Sequence, residues 1–285
     1  MSNRQAETQT QGILRRLRKN KLAMVGGSII LLFTLMAVFA PLLAPHSPTL
    51  TSLSNRLKGP TAEHPLGTDG IGRDVLSRII YGSRYSLMSG LISVGIAVLV
   101  GTLLGLAAGY YGGWLESLIM RFMDMLLAFP GILLAVAFVA VLGRGYLNAM
   151  IAVGLHSVPG FARVVRGSVL SLKEREFVEA ARAAGAKDSR IILKHILPNV
   201  LTPVIVMATM RLGTTILAAA GLSFIGLGAQ PPLPEWGAML SEGRSYLRSA
   251  PHITTFPGIA ILLTVVGFNL LGDGVRDALD PKLKY

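Results

Sequence analysis

Residues 166–200 read RGSVLSLKEREFVEAARAAGAKDSRIILKHILPNV, a polar and charge-rich stretch between two apolar runs long enough to cross a bilayer. Phe177, Ala180, Ala181 and Ala184 recur at helical spacing and predict a helix with one small apolar face. Ser171 followed by Glu174 is a capping-box pattern, so we expect this helix to begin near Leu172.

The second half of the stretch predicts a turn and another short helix. Gly185 tolerates the left-handed conformation that ends helices, and Asp188 or Ser189 can cap the next helix. We expect Pro198 to end that helix because proline lacks the amide proton that the helix needs. The stretch therefore predicts a helix-turn-helix element with an alanine face that a partner can approach closely.

The composition places this element in a membrane protein. The chain has 285 residues, 52% of them hydrophobic and 15% charged, with a mean hydropathy of +0.57. Backbone amides in lipid must be satisfied within each crossing segment, so the predicted fold class is all-α. We predict six transmembrane helices, near Met24–Ala44, Leu87–Ala108, Leu118–Leu142, Ala149–Val165, Leu201–Leu222 and Phe256–Leu271.

The distribution of Lys and Arg predicts the orientation. Basic residues are concentrated in segments 1–23, 166–200 and 272–285, so the positive-inside rule places both termini and the helix-turn-helix element in the cytoplasm. The predicted organisation is listed in chain order: a cytoplasmic tail 1–23, a first transmembrane helix 24–44, a periplasmic segment 45–84, a core of five transmembrane helices 85–273 that contains the coupling loop 166–200, and a cytoplasmic tail 274–285.

Two other interpretations of the basic residues are less favoured. The net charge of +12 is typical of nucleic-acid binding, but the basic stretch lies next to predicted spans and also carries four acidic side chains. We therefore expect no nucleic-acid partner. Five basic residues before the first apolar run resemble a signal peptide, but that run is too long and Pro45 follows Ala44, which favours an uncleaved span. Residues 1–12 are polar and predicted to be disordered.

Enzyme motifs are absent from the sequence. The chain has no Gly-Lys pair for a phosphate-binding loop, no His-Glu-x-x-His pattern and no Gly-x-Ser-x-Gly elbow. It also has no cysteine, which excludes disulfides and thiolate ligands. The five histidines do not cluster in sequence, so no metal site is predicted. We expect no catalytic residue in this chain.

Residues inside the predicted spans have alternative roles. Gly101, Gly105 and Gly109 repeat every four residues and predict close helix packing rather than gating. Arg211 is a candidate for lining a translocation pathway, or for pairing with an acidic neighbour or snorkelling to the interface. Asn269 is a second pathway candidate, although interhelical hydrogen bonding is the simpler role. Arg121 and Asp124 predict a local ion pair.

The helix-turn-helix residues also carry a family resemblance. Glu179-Ala180-Ala181, Gly185 and Ile196-Leu197-Pro198-Asn199 resemble the EAA loop in membrane subunits of type I ABC importers. The general pattern has an Ile where this chain has His195, a variant of the dipeptide and oligopeptide branch. The blocks that resemble the C-type subunit of that branch are His64-Pro65-Leu66-Gly67-Thr68-Asp69, Gly72 to Arg78, Leu222 to Gly228, Pro231-Pro232, Trp236-Gly237, Gly272-Asp273-Gly274, Arg276-Asp277 and Asp280-Pro281.

The resemblance implies a function and a set of partners. Such subunits translocate di- and oligopeptides across the bacterial inner membrane and pair with a second permease subunit. Two cytoplasmic ATPases bind ATP and Mg, while the permease binds no cofactor, and an external solute-binding protein delivers the substrate. The resemblance assigns ATPase coupling to Glu179, Ala180, Ala181, Gly185, Ile196, Leu197 and Pro198.

Several alternatives remain open at this stage. Permeases for nickel or glutathione share the architecture, and an ion-coupled secondary transporter is a less favoured class because only Asp124 approaches membrane depth among the carboxylates. The segments 45–84 and Leu222 to Ser249 either receive a solute-binding protein or cover the pore mouth.

Overall fold

The computed structural model describes residues 15–279, and these residues are mainly helical. Within this range no extended strand forms, and Thr68 and Asp74 make an isolated antiparallel bridge. The helices are α1 (Lys21–Val38), α2 (Ala40–Leu43), α3 (Val75–Tyr111), α4 (Gly113–Leu127), α5 (Gly131–Leu142), α6 (Tyr146–Leu172), α7 (Glu176–Ala183), α8 (Asp188–Ile191), a π-helical segment (Ile192–Ile196), α9 (Leu197–Phe224), α10 (Trp236–Gly243) and α11 (His252–Leu279), with short 3₁₀ turns at Leu53–Asn55 and Arg244–Tyr246. The all-α prediction is confirmed for the described residues.

The central packing is between α3 and α6, and three glycines make it close. A Cβ added at Gly101 would lie 2.5 Å from Cβ of Phe161, one at Gly105 would lie 2.6 Å from Cβ of Val165, and one at Gly109 would lie 2.7 Å from Cβ of Val169. Between helices in lipid, dispersion from close contact replaces the hydrophobic effect as the main source of stability. The predicted packing role of this glycine row is therefore confirmed, and the neighbour is a helix of the same chain.

The first and last long helices, α1 and α11, pack against each other. A Cβ at Gly26 would lie 2.6 Å from the carbonyl oxygen of Gly267, and one at Gly274 would lie 2.2 Å from Cβ of Ala23. Asn20 caps α1 by accepting a hydrogen bond from the amide of Ala23 at 3.1 Å, and its side-chain amide donates to Asp277 at 3.4 Å. The start of α1 and the end of α11 therefore lie together.

The long helices separate two ends of the molecule. We call residues 44–74 and 225–251 the loop end and residues 173–196 the hairpin end. Helix α3 begins beside the loop end and finishes beside the hairpin end; its 37 residues correspond to about 55 Å at the helical rise of about 1.5 Å per residue. Because α9 leaves the hairpin end and α11 returns from the loop end, the two ends are held apart by continuous helices.

Several of these helices can cross a membrane. Four are long and apolar enough, in the ranges Lys21–Val38, Val75–Tyr111, Asp188–Phe224 and His252–Leu279, and α4 with α5 forms a fifth candidate if the bent pair counts as one span. Helix α6 has 27 residues but is not among these candidates. The part of the chain that the structure describes thus contains four or five candidate spans.

The third predicted span, Leu118–Leu142, is wrong as a single straight helix. Helices α4 and α5 meet at an angle of 100°, and Pro130 is the N-cap of α5. Proline disfavours helical backbone at the preceding residue, here Phe129, so the helix ends before it. The apolar composition runs through the bend unbroken, which is why hydropathy alone did not find it.

The predicted pairing of Arg121 with Asp124 is also wrong. Oδ1 of Asp124 accepts a hydrogen bond from Nη2 of Arg163 on α6 at 2.6 Å. One turn nearer the hairpin end, Nε of Arg166 donates to Glu116 at 2.6 Å. The two carboxylates of α4 therefore pair with arginines of α6. The predictions for residues 1–12 and for Asp280-Pro281 lie outside the described residues.

Candidate functional site

The hairpin at residues 173–196 is built from the end of α6, two short helices and a turn. The predicted capping box at Ser171 and Glu174 does not form: α6 continues through Ser171 to Leu172, and α7 begins at Glu176 after Arg175, which makes no side-chain cap. The apolar face of α6 holds Val169 fully buried one turn earlier, and this packing extends the helix past the serine. The first helix of the hairpin was therefore predicted correctly, but it begins at Glu176 and not near Leu172.

The turn at Gly185 forms as predicted. Gly185 has φ of +77°, its amide donates to the carbonyl of Arg182 at 3.0 Å, and the amide of Ala186 donates to Ala181 at 3.1 Å. No atom lies within 4 Å of a Cβ added at Gly185, so the backbone angle rather than lack of space favours glycine. Lys187 is the N-cap of α8 and makes no side-chain cap, so neither Asp188 nor Ser189 caps the helix as predicted.

A small apolar core holds the hairpin together. Val178 of α7, Ile191 of α8, Ile196 of the π segment and Val200 of α9 are fully buried and belong to one cluster with Val169 of α6. Ile196 is thus a core residue among those assigned to coupling. A hairpin of this size with a shared core moves with α6 and α9 rather than as a free loop.

The outer face of α7 is exposed. Glu179 and Ala180 are exposed, whereas Ala181 is half-buried against the hairpin core. Phe177 is 43% exposed, and its ring centroid lies 6.5 Å from that of His195. The solvent-exposed patch of α7 therefore combines an acidic, a small and an aromatic side chain, and it lies over the packed core of the hairpin.

Pro198 does not end a helix, which corrects the prediction. The chain passes from α8 through the π segment into α9, where Pro198 occupies the first turn. The amide of Leu197 donates to the carbonyl of Ile192, a π-type bond. A π turn lifts the proline ring away from the carbonyl that it would meet in a regular helix, so the helix continues.

Two polar contacts join the hairpin to the end of α3. The hydroxyl of Tyr110 donates to Oδ1 of Asp188 at 2.6 Å, and Nζ of Lys173 donates to the carbonyl of Gly109 at 3.3 Å. Neither Tyr110 nor Lys173 was predicted from the sequence to make such a contact. The only sequence signal was a tyrosine directly after the glycine row. It was not enough to predict the contact, because the partner Asp188 is 78 residues away.

The two pathway candidates lie on different sides of α9. Nη2 of the exposed Arg211 lies 3.8 Å from a Cβ added at Gly160 of α6, and Oδ1 of Asn269 lies 3.4 Å from one added at Gly213. Both side chains are exposed in the single chain. The structure does not bring them together.

The loop end is built around a buried charge cluster. Oδ2 of Asp69 accepts from Nε of Arg73 at 2.6 Å and from Nη1 of Arg78 at 2.5 Å, and both arginines also pair with Glu242 of α10. Burial raises the pKa of the Asp69 carboxyl, but the guanidinium groups of Arg78 and Arg73 outweigh burial, and the pKa is lowered overall. The cluster joins segment 67–78 to α10.

Glu235 anchors α10 beneath this cluster. Its two carboxylate oxygens accept from the amides of Gly237 at 3.0 Å and Ala238 at 2.9 Å, which caps the helix. Burial raises the pKa of Glu235 and outweighs those two hydrogen bonds. Trp236 beside it is fully buried and donates from Nε1 to the carbonyl of Ile79 at 3.1 Å.

The five histidines do not cluster in sequence, but two of them lie together in the fold. The ring centroids of His46 and His64 lie 4.7 Å apart at the loop end, beside Asp74. The two residues are separated by an irregular segment of the sequence, so spacing gave no signal of their contact.

Comparisons with known proteins agree with this architecture. Residues 101–285 match the family described as binding-protein-dependent transport system inner membrane component, and residues 8–60 match the N-terminal TM domain of oligopeptide transport permease C. The chain is 57% identical over 270 residues to the dipeptide transport system permease protein DppC of Alkalihalophilus pseudofirmus, covering 95% of this chain and 89% of that protein. It is 51% identical over 281 residues to the glutathione transport system permease protein GsiD of Escherichia coli, covering 98% and 93%.

Solved structures share the fold at low sequence identity. A chain of the MetNI methionine ABC transporter in an inward-facing conformation matches with a TM-score of 0.57 and 21% identity, covering 71% of this chain and 97% of that chain. This likeness concerns the fold alone. The match over residues 101–285 and the 57% identical relative show that the chain belongs to the family of binding-protein-dependent transport system inner membrane components, the multi-pass permease subunits of ABC importers.

Proposed function

We propose that this chain forms one half of the translocation pathway of a small-peptide importer and that its hairpin docks on an ATPase subunit. The relatives at 57% and 51% identity are named for dipeptide and glutathione transport. Glutathione is itself a tripeptide, so both names support a short-peptide substrate. The proposed cargo class is therefore peptides of two to a few residues, with glutathione as the alternative within it.

The observation that carries the docking proposal is the exposed face of α7 above a buried core. Glu179 and Ala180 face solvent, whereas Val178, which precedes them in α7, is fully buried. A partner that binds this face contacts a surface that resists deformation, because the core beneath it is closely packed. Force applied there passes into α6 and α9, which share that core, and into α3 through the Tyr110 contact.

The proposed topology has six spans with both termini on the cytoplasmic side. Its support is the contact of Asn20 with Asp277, which places the start of α1 beside the end of α11. Helix α6 supplies the additional crossing, with its arginines paired to Asp124 and Glu116 on α4. Pairing reduces the cost of charge near the membrane.

The proposed partners follow from the two ends. The hairpin end meets one of two ATPases, which bind ATP and Mg, and this permease subunit holds no nucleotide of its own. The loop end receives a solute-binding protein. A second permease subunit covers the exposed apolar faces and completes the pathway, which we propose is lined by Arg211 and Asn269.

The test is a reconstituted complex with an external binding protein and internal ATP. Glu179→Lys reverses one charge on the exposed face of α7, and we expect its affinity for the ATPase to fall by about tenfold, which corresponds to about 1.4 kcal/mol. Glu63→Lys makes the same charge change at an exposed position of the loop end and serves as the matched control. Equal ATPase affinity in the two variants would contradict the docking proposal.

A competition experiment tests the cargo separately. ATP-driven uptake of a labelled dipeptide should be reduced by unlabelled dipeptides or glutathione and unaffected by free amino acids. Uptake that proceeds on an ion gradient without the ATPases would exclude this function.

A further inference from the structure

The loop end holds a cluster of two histidines and one aspartate from three separate segments. His46 follows α2, His64 lies in the loop between α2 and α3, and Asp74 is the N-cap of α3. One potential ligand atom from each of these residues lies within 4.8 Å of the other two. Among the described residues this is the only group of three or more such side chains that meets this distance limit.

The carboxylate of the cluster is fixed in place. Asp74 has a side chain that is 1% exposed, and its Oδ2 accepts from the amide of Ser77 at 2.7 Å. Oδ1 lies 3.0 Å from Nδ1 of His64. This distance is close to the separation of about 3.3 Å between adjacent ligands of a tetrahedral metal with bonds of about 2.0 Å.

His46 is held beside the pair, but its ring nitrogen Nδ1 has no hydrogen-bond partner among the described residues. Its backbone amide donates to Oγ of Ser77 at 3.0 Å, which positions the residue. Nδ1 of His46 lies 4.0 Å from Oδ2 of Asp74, and this buried nitrogen makes no hydrogen bond within the described chain. A buried polar atom without a partner costs about 1–3 kcal/mol, so a ligand that accepts its lone pair is favoured.

We propose that His46, His64 and Asp74 bind a divalent transition-metal ion of the zinc type. Two imidazoles and one carboxylate are a common ligand set for Zn²⁺, whereas Mg²⁺ prefers oxygen ligands alone. A ring rotation of His46 closes the remaining distance, and its 28% exposed side chain leaves the fourth coordination position open to water. The ion joins the segment after α2 to the first turn of α3.

The structural consequence is a brace at the loop end. His64 belongs to the same segment as Thr68 and Asp69, and Asp69 holds the charge cluster on α10. Binding of an ion that occurs only in the folded state stabilises that state. We therefore expect zinc to raise the melting temperature of the transporter, independently of whether it transports peptides.

The experiment uses the full transporter, purified in detergent and treated with a chelator. Addition of ZnCl₂ should restore one bound zinc per copy of this chain, measured by mass spectrometry of the metal, and should raise the melting temperature, whereas MgCl₂ should not. His46→Ala should weaken zinc binding at least tenfold. Because the His46 side chain makes no hydrogen bond with the described residues, the metal-free variant should melt close to the metal-free wild type.

Two further variants make the result decisive. His46→Cys should retain zinc, since a thiolate replaces the imidazole and the chain has no other cysteine. His195→Ala removes a histidine from the hairpin end and should bind as much zinc as the wild type. The proposal is overturned if the wild type holds no more zinc than His46→Ala, or if His195→Ala and His46→Ala lose it equally.

Discussion

The hydroxyl of Tyr110, at the last turn of α3, lies 2.6 Å from Oδ1 of Asp188, at the first residue of α8. Tyr110 is near the hairpin-end terminus of the helix that spans the whole molecule, and Asp188 follows the Gly185 turn directly. The contact therefore links the hairpin to the helix that reaches the loop end at Asp74. We expect a displacement of the hairpin to be transmitted to α3 at this point.

Tyr110→Phe should loosen the hairpin without unfolding the chain. The lost hydrogen bond to a carboxylate at an exposed position is worth about 1 kcal/mol or less, which is about a fivefold change in an opening equilibrium. Hydrogen–deuterium exchange of residues 185–192 measures it and should be faster in the variant. Tyr111→Phe is the matched control, because the Tyr111 hydroxyl makes no hydrogen bond with the described residues. Equal exchange rates in the two variants would show that the Tyr110–Asp188 hydrogen bond does not stabilise the hairpin.

Gly185→Val should separate ATP hydrolysis from transport. A β-branched residue resists the φ of +77° at this turn, at a cost of about 1–3 kcal/mol, and the strain moves α7 relative to α8. Transported peptide per ATP hydrolysed should fall several-fold while membrane insertion is normal. Gly185→Asn should retain most coupling, because asparagine tolerates left-handed backbone. Full coupling with valine would show that the turn tolerates another conformation.

Gly105→Ala should destabilise the packing of α3 on α6. The added methyl would lie 2.6 Å from the carbonyl oxygen of Ala162, and overpacking of this kind costs about 1–3 kcal/mol. Gly95→Ala is the control on the same helix, because no atom lies within 4 Å of its added Cβ. Thermal unfolding in detergent should show a lower melting temperature for the first variant and little change for the second. A reversed order would mean that the two helices pack differently from the arrangement described.

Features that depend on residues close together in the chain could be predicted from the sequence. The glycine row and the Gly185 turn depend on residues within one helix or one turn, so their pattern was enough. The bend at Pro130 was missed because the residues directly before and after it are apolar, so hydropathy does not mark the break. The start of α7 was misplaced because the burial of Val169 by α3, which the sequence does not show, extended α6.

The polar contacts were predictable only where their partners are close in the chain. Asp124 was paired with Arg121 because the two are three residues apart, but the structure pairs it with Arg163 across a helix interface. The same holds for Tyr110 with Asp188 and for His46 with Asp74. Such contacts depend on tertiary packing, and one sequence gives no measure of it.

Asp69→Asn should destabilise the loop end and remove part of its pH dependence. Loss of the charge leaves Arg78, with a 1% exposed side chain, short of one partner, and breaking a buried pair costs about 3 kcal/mol or more. The folded pKa of Asp69 lies below its ordinary value of 3.8. Its stabilisation is therefore complete above pH 3.8 and is lost as the pH falls through the lower folded value.

The measurement for Asp69 is the melting temperature between pH 7 and pH 3. The melting temperature of the wild type should exceed that of Asp69→Asn by a constant amount in the upper part of that range, and this excess should become smaller toward pH 3. Asp273→Asn, an exposed carboxylate on α11, is the control and should change little. A wild-type advantage that grows on acidification would contradict the lowered pKa.

Pro198→Ala tests the role of the π segment at Ile192–Ile196. Alanine restores an amide donor and removes the ring, so the segment is free to return to regular α-helical hydrogen bonding. That change removes one residue of register and rotates α7 and α8 by about 100° about the axis of α9. We expect the variant to be less stable than the wild type, because the rotation would separate Val178 and Ile191 from the core that they share with Val169 of α6. We also expect it to lose most of its ATPase coupling, measured as transport per ATP hydrolysed. Pro203→Ala, inside α9 and beyond the π segment, is the control and should preserve coupling. If Pro198→Ala couples normally, the π segment accommodates the proline without setting the orientation of the hairpin.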